Sequence, residues 1–174
     1  LRAPAFDALA DYVRGHPSFE QGRAEVEALC EALAPGSGSG ERATLDWDEL
    51  RALARQGATI AAHSHTHPIL AHIPLEQARR EIRQSQSLIE REIGSALPIL
   101  AYPDGRPHAL NAELPLLLRE DGFVAAFTMT NRGAHLKRDP SLQLPRVLVS
   151  RRYTLEQFHL YLTPVHQKWT QLKR

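Results

Sequence analysis

The sequence predicts an α/β fold organised around a parallel sheet, and three observations carry that expectation. Short apolar runs alternate with longer amphipathic stretches: Ala58-Thr59-Ile60-Ala61-Ala62, Pro98-Ile99-Leu100-Ala101-Tyr102 and Phe123-Val124-Ala125-Ala126-Phe127. Runs of this length and evenness suit strands covered on both faces. The stretches between them end at Gly57, Gly94 and Gly122, and glycine closes helices because it enters left-handed backbone without a Cβ clash. His63 follows one of the runs directly, and Asp104 follows another after Pro103. Functional loops gather at the C-terminal ends of parallel strands, whether the sheet is open or closed into a barrel.

The elements follow in order. Residues 4–14 and 18–34 carry apolar side chains at three- and four-residue steps (Phe6, Leu9, Ala10, Val13; Val26, Leu29, Leu33) and read as two helices. Pro35-Gly36-Ser37-Gly38-Ser39-Gly40 leaves the backbone too free for either regular structure and reads as a surface loop. These parts do not fit a βα repeat, so residues 1–43 are expected to be a helical insertion or edge segment, with the α/β domain occupying 44–174. Asp46 with Glu49 marks a capping-box-like start for a helix through Trp47, Leu50 and Leu53. Strand 58–62 leads into the histidines. A long helix over 75–93 places Leu75, Ala78, Ile82, Ile89 and Ile93 on one face. Strand 98–102, a helix over 111–121 and strand 123–127 come next. Leu144 to Val149 is expected to be a fourth strand. Thr154 with Gln157 caps a last helix, interrupted near Pro164.

Composition excludes several classes of function. Twenty-one basic and 20 acidic residues give a net charge of +1, so no global field attracts nucleic acid or an anionic membrane. No apolar run approaches the ~18 residues of a membrane span. The single cysteine, Cys30, rules out a disulfide framework; on the Val26, Leu29, Leu33 stripe it is expected to be a small buried apolar group. The only methionine is Met129, so the N-terminus is expected to be processed or truncated.

The candidate chemistry lies in His63-Ser64-His65-Thr66-His67-Pro68. Two imidazoles four residues apart in a tight or helical turn can face the same cation, and neutral imidazole suits zinc and similar ions. His63 and His67 are therefore the candidate metal ligands, with His65 pointing elsewhere. A histidine-rich surface loop is the competing reading.

The run from Leu45 to Leu50, Gly57 and the strand into His63-Ser64-His65-Thr66-His67-Pro68 resembles the second motif of the polysaccharide deacetylase (NodB homology) family, His-Ser/Thr-x-x-His. The helix with Ile89-Glu90 and Gly94, followed by Ala101-Tyr102-Pro103-Asp104-Gly105, resembles the next motif. The likeness runs from about Thr44 to Val149. It implies a distorted (β/α) barrel that removes acetyl groups from N-acetylated glycans with a divalent metal, zinc being the first choice, held by one aspartate and the two histidines. The metal would lower the pKa of a bound water to ~7 and polarise the amide carbonyl. The oxyanion formed on water attack would meet the backbone N–H of Asp104, framed by Pro103 and Gly105. Tyr102 is a candidate to line the sugar site, or else a core aromatic.

Departures from the family pattern are equally specific. Its first motif, Thr-Phe-Asp-Asp, supplies the base and third ligand, and this sequence has no Asp-Asp pair. The barrel is therefore expected to lack its first strand or strands here, leaving this stretch inactive and poorly soluble alone; the other reading is a degenerate barrel that binds glycan or metal without turnover. Ala101 stands where many members orient the base with arginine. Leu144-Pro145-Arg146 stands where the family has Leu-x-His, whose histidine is the general acid. Arg146 cannot donate a proton at neutral pH; it is a candidate to hold an acidic group, stabilise charge or form a structural ion pair. Asp104 is also considered as a metal-side carboxylate, although a turn-forming role is commoner for aspartate before glycine.

Overall fold

A computed structural model describes residues 8, 12, 16, 18–33, 44–149 and 153–163. The chain divides into two compact units, Leu1–Asp46 and Trp47–Arg174. In the first, α1 spans Phe19–Leu33. An Arg23–Glu27 pair at 2.7 Å spans one turn of its surface, and the Tyr12 hydroxyl donates to Glu25 at 2.5 Å. Leu29 on its expected apolar stripe is exposed. The side chains of Cys30 and Leu33, and most of the helix expected over 4–14, lie outside the described residues.

The second unit contains α2 (Trp47–Arg55), α3 (Leu75–Ile93), β1 (Ile99–Ala101), α4 (Glu113–Glu120), β2 (Ala125–Phe127) and α5 (Leu155–Leu162). Three helix ends have a local cause. Gly94 closes α3 at φ 89°, its N–H donating to Glu90 O. The Asn111 side chain accepts from the N–H groups of Glu113 and Leu114 at the start of α4. Thr154 and Gln157 form the expected capping box of α5.

β1 and β2 pair in parallel, Leu100 opposite Ala126. Parallel bridges Ala62–Leu100 and Phe127–Leu144 extend the sheet on either side. Four parallel segments therefore lie side by side in chain order, their C-terminal ends forming one edge. The two outer segments are shorter than the sequence predicts. Ala62 uses both main-chain groups, to Ile99 O and Ala101 N, whereas Ala58 is tied back to Leu53 at the end of α2. Leu144 bonds Ala126 and Thr128, but Pro145 has no N–H with which to continue a ladder.

Helices α3 and α4 cover the sheet through Ala78, Ile82, Leu114, Leu117 and Leu118, all at most 1% exposed. Asp121, at the end of α4, receives the guanidinium groups of Arg79 and Arg83 from α3. Arg51 of α2 reaches α3 through the carbonyl and carboxylate of Glu92, each at 2.7 Å. Among the described residues no helix is long and apolar enough to cross a membrane.

Candidate metal and hydrolytic site

His63 leaves the sheet where Ala62 ends the first segment. Its Nδ1 lies 2.7 Å from the carbonyl oxygen of Ala101 on β1. A carbonyl only accepts, so Nδ1 carries the proton and the Nε2 lone pair is presented on the other side of the ring. The ring of His67 stands edge-on to that of His63, centroids 4.9 Å apart at 75°. Both side chains are exposed.

A tight turn, not a helical one, produces this pairing. Ser64 and His67 adopt left-handed backbone at φ 63° and 65°, a conformation that costs non-glycine residues ~1–3 kcal/mol each where the surroundings impose it. Glu81 on α3 supplies much of that constraint. Its carboxylate accepts from the main-chain N–H of His65 and of Thr66, at 2.9 and 2.7 Å, and from the Thr66 hydroxyl at 2.7 Å. Ser64 Oγ accepts from the N–H of His67 at 3.1 Å, and Ser85 Oγ from that of His63 at 3.3 Å. Neither Glu81 nor Ser85 is apparent as a site residue in the sequence. The available signal was their position beside Ala78 and Ile82 on the inward stripe of α3, where a carboxylate needs donors.

The pair suits a divalent transition-metal ion: two imidazoles with neighbouring rings, one with its tautomer set by a backbone acceptor, as is usual for ligating histidines. Among the described residues no third histidine, cysteine, aspartate or glutamate joins them.

The loop after β1 lies on the same sheet edge. Asp104 and Gly105 are both left-handed, at φ 58° and 66°. A Cβ on Gly105 would stand 3.0 Å from the N of Met129 and 3.2 Å from Tyr102 O, so any side chain there is crowded by main chain and strained at this φ. The Gly105 carbonyl accepts from Met129 N–H at 2.7 Å, joining this loop to the end of β2. The Asp104 N–H meets no acceptor among the described residues. Its carboxylate takes a bidentate pair from Arg106, at 2.5 and 2.9 Å, and lies 3.3 Å from His108. The Arg106 guanidinium holds that carboxyl below the usual aspartate range. The side chain is thus engaged within its own turn.

Tyr102 takes the core position that was the alternative to a sugar-site role. It is 1% exposed, and its hydroxyl donates to Leu142 O at 2.9 Å. Burial pushes its pKa up. Strand alternation places Tyr102 on the core face with Leu100. Arg146, beyond the fourth segment, is half-buried and donates from Nε to Thr128 O at 3.0 Å. It makes no ion pair with any described carboxylate.

Comparison with known proteins adds a family and a fold. A family model described as polysaccharide deacetylase matches residues 20–126. No curated protein matches the chain significantly. Among solved structures, the chain resembles the Streptococcus pyogenes deacetylase PplD in complex with acetate, with TM-score 0.62, 20% identity, and 72% of this chain against 54% of that one. A de-N-acetylase from Aggregatibacter actinomycetemcomitans gives TM-score 0.54 and 16% identity, over 68% of this chain and 53% of that one. The deacetylase domain of BpsB from Bordetella bronchiseptica gives 0.52 and 20%, over 66% and 56%. The chain therefore spans about half the length of the structures it matches.

Proposed function

Because this chain belongs to the polysaccharide deacetylase family, we propose that the complete protein hydrolyses the acetamide of N-acetylated sugars in a polysaccharide, at a divalent metal held by His63 and His67. Zinc is the proposed ion, and a distorted (β/α) barrel containing the four parallel segments is the proposed architecture. The observation that carries the reading is the His63–Ala101 contact: it sets the tautomer that leaves the Nε2 lone pair for a cation, with the His67 ring centroid 4.9 Å from that of His63.

A bound divalent ion would supply Lewis-acid polarisation of the amide carbonyl and an acidified water. The chain's own residues position the substrate and stabilise charge. His63 and His67 set where the acetamide stands. The Asp104 N–H, which meets no acceptor among the described residues, is a donor for charge developing on the carbonyl oxygen. Being main chain, it acts whatever the protonation state of the Asp104 carboxyl. Water oxygen bonds to the acyl carbon, the carbon–nitrogen bond breaks, and the products are acetate and a free amino sugar. The base, the third ligand and the general acid are assigned to no described residue.

The test is acetate release from N-acetylglucosamine oligomers by the complete protein, with and without a chelator and zinc replacement. Release that disappears on chelation and in His63→Ala or His67→Ala, and returns with zinc in the wild type alone, is expected. Release unaffected by both alanine variants would remove the histidines from the mechanism. Glycan binding without any release would favour the second reading, a barrel that binds without turnover, for which the absence of a third ligand among the described residues is the motivating observation.

A further inference from the structure

Arg146 differs from the other arginines that are withdrawn from solvent. Arg79 faces Asp121 and Glu120, Arg51 faces Glu92, and Arg132 faces Asp139. Arg146 is half-buried, its Nε is committed to Thr128 O, and no described carboxylate lies within ion-pair distance of it. Burial accordingly draws its pKa down. A partly dehydrated cation without a counter-charge is unfavourable, and an anion supplied from elsewhere relieves that cost.

Its mounting is rigid. Thr128 is 1% exposed, donates its N–H to Leu144 O at 2.8 Å, and so ties the end of β2 to the segment that carries Arg146. Once Nε is fixed, the two terminal nitrogens form a planar fork that matches a carboxylate. Arg146 follows Leu144 on the sheet edge that also carries His63 and Asp104. Asp104 there is already paired with Arg106 and His108, so its carboxylate is engaged within its own turn.

We propose that Arg146 is the carboxylate-binding residue of this site, receiving in its guanidinium fork a carboxylate carried by the glycan or by a part of the complete protein beyond the described residues. The inference rests on the deacetylase reading for its setting. The ligand chemistry is the same in either case, and the two sources separate kinetically.

The experiment compares the complete wild-type protein with Arg146→Gln and Arg146→Lys on two glycans, a neutral N-acetylglucosamine tetramer and a hyaluronan-type tetrasaccharide bearing uronate carboxylates. A KM increase of ~10- to 100-fold in Arg146→Gln, confined to the uronate glycan, identifies a substrate carboxylate. A kcat loss of that size on both glycans, with the acid limb of the pH profile moved to higher pH, identifies a carboxylate of the enzyme whose pKa the cation had lowered. Lysine, which keeps the charge and loses the fork, should restore only part of either effect. Unchanged kinetics on both glycans with a lowered melting temperature would overturn the proposal and leave Arg146 as a strut on Thr128. Should the wild type release no acetate, the deacetylase reading fails separately, and the Arg146 Nε–Hε resonance of the complete protein decides. Its saturable shift with sodium glucuronate, or its titration with a protein carboxyl, supports the proposal, and the absence of both overturns it.

Discussion

Thr66 gives Glu81 both of its hydrogens, the main-chain N–H and the hydroxyl, each at 2.7 Å. With the N–H of His65 added at 2.9 Å, one carboxylate on α3 fixes the turn between His63 and His67. The strain stored at Ser64 and His67 is thereby opposed from a helix that carries neither histidine.

Glu81→Ala should lower zinc affinity by ~10- to 100-fold, the usual effect of losing a group that supports ligands. Glu81→Gln should weaken binding less, because its side-chain oxygen can stand where Oε2 receives both main-chain donors while its NH2 donates to the Thr66 hydroxyl oxygen. Competition against a chromophoric chelator measures this. Affinity equal to wild type in both variants would mean that Ser64 and Ser85 suffice to hold the loop.

Tyr102→Phe is expected to destabilise the fold by ~1–3 kcal/mol, since the buried Leu142 carbonyl loses its donor. KM should not change. Denaturant unfolding alongside steady-state kinetics separates the two quantities; a KM effect at unaltered stability would return Tyr102 to the sugar site.

Gly105→Ala introduces a Cβ 3.0 Å from the N of Met129 at a φ of 66°, a strain of ~1–3 kcal/mol that must shift the turn. The Asp104 N–H moves with it, so kcat should fall. Asp104→Asn keeps the N–H and tolerates left-handed backbone, and kcat should be retained. Loss of kcat in the asparagine variant would transfer the role to the carboxylate.

Acid should destabilise the unit through Asp104 and Asp139. Arg106 lowers the folded pKa of the first, and Arg132 with the His135 N–H that of the second. Depressed folded values contribute stability that is complete above the unfolded pKa of ~3.9 and is lost as pH falls from there through the folded values. Melting temperature should therefore decline below about pH 4, and less steeply in Asp139→Asn than in wild type. A parallel decline in both would exclude Asp139 as a source.

The helix over 75–93, its stop at Gly94 and the capping box at Thr154 were legible because each depends on residues within a few positions of one another. The outer strands were overextended from the sequence for a related reason. Apolar content indicates burial, but ladder length depends on which main-chain groups remain available, and Ala58 and Pro145 remove theirs locally. Arg146 could be located but not interpreted, since the expected ion pair required a carboxylate whose position no local pattern specifies.

The sequence by itself determined the α/β alternation, the placement of His63 and Asp104 at strand ends, and the Asp104-Gly105 turn, all consequences of hydrophobic period and of glycine's conformational range. Tertiary structure alone decided the tautomer of His63 through Ala101, 38 residues away, the constraint of the histidine turn by Glu81, 15 residues from Thr66, and the commitment of Tyr102 to the core through Leu142, 40 residues on. Hydrogen-bond direction and burial depend on which distant segments the sheet brings together, and that choice is made by packing over the whole unit.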